Sequence, residues 1–338
     1  MKETMTSVIG NVGLRHRLCN DILNGTLAHA YILAGAHGSG KHTIAMNFAA
    51  ALACENQHSD SLPLPCLTCP TCKKIMEGKS PDIITVGKTG QSVKIAQIRE
   101  LKNDILSVPN DLEDKIYIIE DADTMTQEAQ NALLLSLEEP PAFVRFFLLC
   151  SKPEKLLETV RSRAPILRTE ILPREIVGDF LKSKSEIAAT LAKTKPNEFE
   201  ELLTLAAGSV GRGLELCEEK VRAPLLKERA LASDFIEKAL TKNYAPLVEA
   251  VVSFPRKQDE LLPILSNMQS ALRDLIALKN APNSPLVFYT NRENATELAY
   301  ANSTAALFAL YDRLSVTIEN ISRNANIRLS LVSLLSEI

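Results

Sequence analysis

Four short apolar runs punctuate the first half of the chain: Tyr31-Ile-Leu-Ala34, Ile83-Ile-Thr-Val86, Ile116-Tyr-Ile-Ile119 and Phe146-Phe-Leu-Leu149. Continuous apolar runs of this length, without polar alternation, are the pattern of strands buried on both faces. Between them apolar positions recur with helical spacing over residues 41–52, 97–107 and 126–139, and Pro140-Pro141 stops the last of these helices. Strand, crossover helix and strand at this spacing predict a parallel sheet with helices on its faces. Beyond Arg168 the strand signals fade. Short helical patterns at 176–182, 185–193, 197–206 and 213–221 are separated by Pro173, Pro196 and Gly208. Longer amphipathic segments follow at 225–241, 260–280, 304–321 and 327–338, with Ala281-Pro-Asn-Ser-Pro285 and the Asn-rich stretch 291–302 as the expected loops. The pattern predicts α/β plus all-α architecture in three domains: 1–168, 169–222 and 223–338.

Composition narrows the class. With 46% apolar and 23% charged residues in 338, the chain is ordinary globular protein, neither disordered nor collagen-like. Thirteen glycines and 17 prolines together make about 9% of the chain, below the roughly 12% of average usage, which agrees with many helices. Thirty-eight basic against 41 acidic residues leave a net charge of −3, divided evenly along the chain, so charge announces neither a nucleic-acid arm nor an acidic tail. No apolar run reaches the roughly 18 residues of a membrane span, and the first residues lack the apolar stretch of a signal peptide. The expectation is a cytoplasmic protein with no membrane partner.

Candidate chemistry begins at Gly35-Ala-His-Gly38-Ser-Gly40-Lys41, which follows an apolar strand and opens a helix. That is the setting in which a glycine-rich loop wraps phosphates with backbone N–H groups and a lysine, so ATP with Mg²⁺ is the ligand pair it brings to mind. The motif calls for Ser or Thr next, as a metal ligand, and here the residue is His42; imidazole suits a hard cation poorly. A second piece lies at the end of the third apolar run, where Glu120-Asp121 offers two carboxylates. Their order is the reverse of the Asp-Glu pair of active ATPases. A plain glycine turn and a solvated acidic strand end are the alternatives that remain open.

The seven cysteines are distributed unevenly, four of them within 54–72. Cys54, Cys66, Cys69 and Cys72 have the spacing with which four thiolates close a tetrahedral structural Zn²⁺ site. An iron–sulfur run would continue with three residues, Cys and Pro, whereas Lys73-Lys-Ile-Met76 follows here. Free buried cysteines, or His58 in place of Cys54, are the other readings.

Taken in order, His29-Ala-Tyr31, the phosphate loop, the four cysteines, Ser80-Pro-Asp82, Ile98-Arg-Glu-Leu101, Lys115 to Asp123, Asn131-Ala-Leu-Leu134 with Leu137-Glu-Glu-Pro-Pro141, and Arg161-Ser-Arg163 resemble the AAA+ subunits of the bacterial DNA polymerase III clamp loader. The resemblance covers about residues 8–168, and Asn324-Ala-Asn326 with Arg328-Leu329 resembles the family's C-terminal domain. It implies a RecA-like AAA+ domain carrying the zinc module at 54–72, a small helical lid and a helical collar. It further implies partners: gamma/tau and delta subunits in a hetero-pentameric ring, the sliding clamp, and primed DNA reached through the assembled complex. In the family an arginine reaches the ATP held by a neighbouring subunit. Arg163 matches that position, in Ser162-Arg163-Ala164 rather than Ser-Arg-Cys, so the cysteine is replaced and the charge is kept. Ser151 and Arg212 lie near the family's two sensor positions. The departures at His42 and at Glu120-Asp121 imply a subunit that offers an arginine and a scaffold rather than its own turnover; an active ATPase subunit of the gamma/tau type is the alternative.

Overall fold

The computed structural model describes residues 3–241 and 244–336, so the final residues of the helix expected over 327–338 lie outside the described residues. The chain forms two compact units. The first comprises Met1–Pro173 with Ser209–Arg212, the second Arg174–Gly208 with Gly213–Ile338.

In the first unit the elements run α1 (Val12–Leu23), β1 (Ala30–Ala34), α2 (Lys41–Leu52), α3 (Pro70–Met76), β2 (Ile83–Val86), α4 (Ile95–Asp104), β3 (Lys115–Ile119), α5 (Gln127–Glu138), β4 (Val144–Cys150), α6 (Glu158–Arg161) and β5 (Ile166–Arg168). All four strands read from the sequence are present, and the three-residue β5 adds a fifth. Every pairing is parallel, in the order β2-β3-β4-β1-β5. The three central strands β1, β3 and β4 are predominantly apolar because each of their faces meets helices. Tyr31, Leu33, Ile116, Ile118, Phe147 and Leu149 point to one core, with Phe48 of α2; Ile32, Tyr117, Ile119, Phe146 and Leu148 point to the other, with Ile98, Leu133 and Leu137. Tyr31, Phe48 and Phe147 pack ring on ring, with centroids 4.9 to 5.7 Å apart.

Parallel strands put all their C-terminal ends on one edge, and in open sheets of this kind that edge carries the ligand site where the strand order reverses. Here the chain leaves β1 for the far edge at β2, returns through β3 and β4, and crosses β1 to reach β5. The tips of β1, β3 and β4 therefore stand side by side.

Ser80-Pro-Asp82 has a structural task just before β2. Asp82 is fully buried, and its carboxylate accepts from the backbone N–H groups of Asn110 (2.7 Å), Asp111 (2.7 Å) and Leu112 (2.9 Å) and from the Asn110 side chain (3.3 Å). Burial alone would raise this carboxyl, but the three backbone donors outweigh it and hold it below the usual carboxylate range. The contribution is complete above the unfolded value of about 3.9 and is lost as pH falls through the lower, folded value. Asp82→Ala is expected to cost about 2–4 kcal/mol in denaturant unfolding at neutral pH, since it strands buried donors. An unchanged unfolding midpoint would contradict this.

The second unit is helical: α7 (Arg174–Lys184), α8 (Glu186–Thr194), α9 (Pro196–Ala206), α10 (Val210–Cys217), α11 (Glu219–Leu240), α12 (Tyr244–Val252), α13 (Gln258–Asn280), α14 (Arg292–Ala301), α15 (Thr304–Ser322) and α16 (Ile327–Ser336). Two differences from the sequence pattern stand out. The Asn-rich stretch 291–302 is a helix, not a loop, because Asn291 caps it by accepting from the N–H groups of Glu293 and Asn294. The pattern at 213–221 breaks near Glu218, and α11 runs unbroken from Glu219 with Pro224 inside it. Arg222 fastens that region: its guanidinium, 5% exposed, donates to the carbonyls of Leu216 and Cys217 and to the Glu198 carboxylate. Helix α13 runs through the core of this unit, where its Asp274 accepts from the backbone of Val287, Phe288 and Tyr289.

Candidate functional site

The loop between β1 and α2 turns on glycines that a side chain could not replace. Gly38 (φ +72°) and Gly40 (φ +85°) lie in the left-handed region, and a Cβ on Gly38 would stand 2.3 Å from the Arg212 backbone nitrogen. A Cβ on Gly35 would meet the Thr169 hydroxyl at 1.8 Å. These close approaches arise because Ser209–Arg212 lies against the loop. The Gly211 N–H donates to the Gly38 carbonyl (2.9 Å) and the Ser209 hydroxyl to the His37 carbonyl (2.8 Å), while Thr169 bonds Ser39 (3.0 Å).

Lys41, the first residue of α2, is 8% exposed. Its ammonium donates to the carbonyls of Gly35 (2.8 Å) and Ala36 (2.9 Å), so the lysine is folded onto its own loop. Burial lowers its pKa; the nearby charges of Asp121, Glu120 and Asp123 and the Cys150 thiol oppose that without cancelling it.

The carboxylates at the strand tips are also engaged. Glu120, 6% exposed at the end of β3, accepts from His42 Nδ1 at 2.6 Å through one oxygen and from the Thr89 hydroxyl at 3.3 Å through the other. Asp121, held at φ +41°, accepts from the Gly90 N–H at 2.6 Å. Asp123 receives the N–H groups of Ser151 (3.3 Å) and Lys152 (2.9 Å) just beyond β4. The structure thus brings Gly35, Gly38, Gly40, Lys41, Glu120 and Asp121 to one sheet edge. There it ties each charged group to protein partners. An active hydrolytic site needs a carboxylate free to position the metal or orient water, and here Glu120 is engaged through both oxygens and Asp121 through one. The residues present do not fit Mg²⁺.

Arg163 follows α6 on the surface. It donates to the Glu138 carboxylate (2.5 Å) and the Thr159 carbonyl (2.7 Å) with its side chain 32% exposed. An exposed pair of this kind is worth roughly 0–1 kcal/mol, so the guanidinium is held in place without being locked there.

The four cysteines converge. Cys54 comes from the end of α2, Cys66 and Cys69 from the following loop, and Cys72 from α3, with all four sulfurs within 4.8 Å of one another and all four residues buried. A tetrahedral Zn²⁺ with bonds of about 2.3 Å spaces its sulfurs by roughly 3.8 Å, so the donor set fits that ion. Sulfur-directed donors are already in place: Asn56 and the Cys69 N–H onto Cys66, and the Cys72 N–H onto Cys69. Burial works against the Cys66 thiolate, yet the hydrogen bonds from Asn56, Thr68 and the Cys69 N–H prevail and hold its pKa below the usual thiol value. Burial pushes the Cys54 and Cys72 thiols up, as expected for sulfurs whose charge a dication would relieve. His58 is exposed and outside the cluster. The chain's beginning is fastened here too, through backbone bonds between Glu3, Met5 and Leu64.

Sequence spacing does not reveal Thr89, Asp123, Thr169 or Ser209, which complete the loop's surroundings. Only Asp123, two residues beyond the acidic pair, stands near a recognisable signal. A cavity of about 1120 Å³ in the second unit, lined in part by Glu201, Arg229, Asp234 and Tyr289, shares no residue with the phosphate loop. Among the described residues no helix is long and apolar enough to cross a membrane.

Residues 11–172 match the family described as DNA polymerase III, delta subunit. The gamma subunit of DNA polymerase III from Buchnera aphidicola subsp. Schizaphis graminum is 27% identical over 324 residues, covering 89% of this chain and 85% of that protein. The tau subunit from Bacillus subtilis is 27% identical over 329 residues, covering 93% of this chain and 57% of its own length. The delta' subunit from the same organism is 32% identical over 213 residues, 62% of each chain. The matched stretch is thus under two thirds of the last two proteins. The chain is thus similar to gamma, tau and delta' subunits of DNA polymerase III, and the relatives carry both gamma/tau and delta' names.

Proposed function

We propose that this chain is a delta-prime-type subunit of the DNA polymerase III clamp loader, which helps to place the sliding clamp on primed DNA and does not turn over ATP itself. The observation that carries this reading is the His42–Glu120 hydrogen bond of 2.6 Å, in which the residue after the loop lysine closes on the strand-tip carboxylate. Lys41 turned onto Gly35 and Ala36, and Asp121 tied to Gly90, support it. In this reading residues 1–168 form the AAA+ domain, 169–222 the lid and 223–338 the collar that assembles with gamma/tau and delta subunits in a five-membered ring. Arg163 serves the ATP site of a neighbour, and the sulfurs of Cys54, Cys66, Cys69 and Cys72 hold a structural Zn²⁺ that takes no part in chemistry. DNA is met through the ring, in keeping with a net charge of −3.

The purified chain given saturating Mg-ATP is expected to release phosphate no faster than buffer. Sustained turnover of about 1 s⁻¹ or more, within the usual enzymatic range, would overturn the reading in favour of a gamma/tau-type ATPase.

A further inference from the structure

The residue in the metal-ligand position of the phosphate loop does more than fail to bind a cation. A Mg²⁺ bound through the first turn of α2 and the tip of β3 would lie between its two protein ligands. At the usual 2.0–2.1 Å to each, neighbouring corners of its octahedron stand about 2.9 Å apart and opposite corners about 4.1 Å. His42 Nδ1 and Glu120 Oε1 are 2.6 Å apart, closer than either arrangement allows. The second carboxylate oxygen is taken by Thr89, and Glu120 is 6% exposed, so neither end of the group turns easily towards an ion. Imidazole nitrogen is also the wrong donor for a cation that prefers oxygen. By contrast, the features that receive phosphate remain: the left-handed turns at Gly38 and Gly40, the opening of the 12-residue α2, and Lys41, which must exchange the Gly35 and Ala36 carbonyls for the phosphate.

Resting on the reading above, we infer that His42 is the specificity-determining residue of this loop. It occupies the divalent cation's place on Glu120 and makes the loop indifferent to Mg²⁺, so that nucleoside di- or triphosphate meets Gly35–Lys41 without a metal. The pairing is mutual. Restoring full metal dependence requires a hydroxyl at 42 and a shorter carboxylate at 120 together, because a lone change at either position leaves the other group misplaced and recovers only part of it.

The test is nucleotide affinity, measured for ADP and ATP by equilibrium dialysis with Mg²⁺ and again with EDTA. For the unmodified chain both affinities are expected to be measurable and to agree within about twofold; no detectable binding in either condition would overturn the metal-free binding inferred here. For the double variant His42→Thr with Glu120→Asp, Mg²⁺ is expected to tighten binding at least tenfold. His42→Ser on the native Glu120 serves as a second variant and is expected to gain less. Mg²⁺-tightened binding by the unmodified chain would overturn the inference, as would a folded double variant, with melting close to that of the parent, that gains nothing. If the double variant does not fold, a tenfold or greater gain in His42→Ser, more than the partial gain expected of it, likewise overturns the requirement for both changes, and no gain at all overturns the role of His42. Mg²⁺-tightened binding without turnover would remove this inference and leave the proposed function standing. A Mg²⁺-responsive variant alongside an Arg163→Ala change that has no effect in the assembled complex would do the reverse.

Discussion

Cys69→Ser is expected to remove one bound zinc per chain and to lower the melting temperature of the protein by roughly 8–16 °C. The figure comes from a loss of about 4 kcal/mol, the scale reached when a structural metal is lost, at about 2–4 °C per kcal/mol for a unit of this size. Cys69 is chosen because it does two things at once. It offers a sulfur to the cluster and caps α3 by accepting from the Cys72 N–H, so its loss loosens both the metal site and the helix that carries Cys72. The effect should spread to Met5 and Leu64, both fully buried, packed in the same core as the four cysteines and joined by a backbone hydrogen bond. Chelation of the unmodified protein should reproduce the shift, whereas Cys217→Ser, remote in sequence and outside the cluster, should leave zinc content intact. Protein purified without chelators that contains no zinc, or a Cys69→Ser protein with unchanged metal content and melting, would contradict the assignment.

Much of this architecture is legible in the chain, for identifiable reasons. Residues 31–34, 116–119 and 146–149 announce strands because a sheet covered on both faces favours unbroken apolar runs, and 83–86, at the sheet edge, departs from that only at the exposed Thr85. Strand β5 escapes notice because three residues, Ile166–Arg168, are too few to carry a pattern. Residues 291–302 read as a loop because asparagine favours turns, but the same preference makes Asn291 a helix cap. The phosphate loop, the strand-tip acids and the cysteines declare themselves through spacing. The partners that tie up the loop do not. Ser209 reaches the His37 carbonyl across 172 positions and Thr169 reaches Ser39 across 130, and an isolated hydroxyl residue carries no signal of where the fold will take it. His42 reads as a missing metal ligand, while its contact with Glu120, 78 positions away, emerges only when β1 and β3 are set in one sheet.

Arg163→Ala is expected to reduce ATP turnover at the site it faces in the assembled clamp loader by about 10³-fold or more, the range in which an arginine placed on the γ-phosphate acts. The guanidinium must leave Glu138 to do so, and releasing an exposed pair costs only about 0–1 kcal/mol. For the same reason the substitution should barely change the stability of the chain, which separates a role in trans from a structural one. Arg163→Lys should lose most of the rate as well, because a point charge does not reproduce the planar, forked donor. The measurement that bears most directly on the central claim is single-turnover ATP hydrolysis by a complex reconstituted from gamma/tau-type and delta-type partners with this chain, unmodified or carrying Arg163→Ala. A large loss of rate at unchanged subunit composition is predicted; rates equal within about twofold in the two complexes would contradict it.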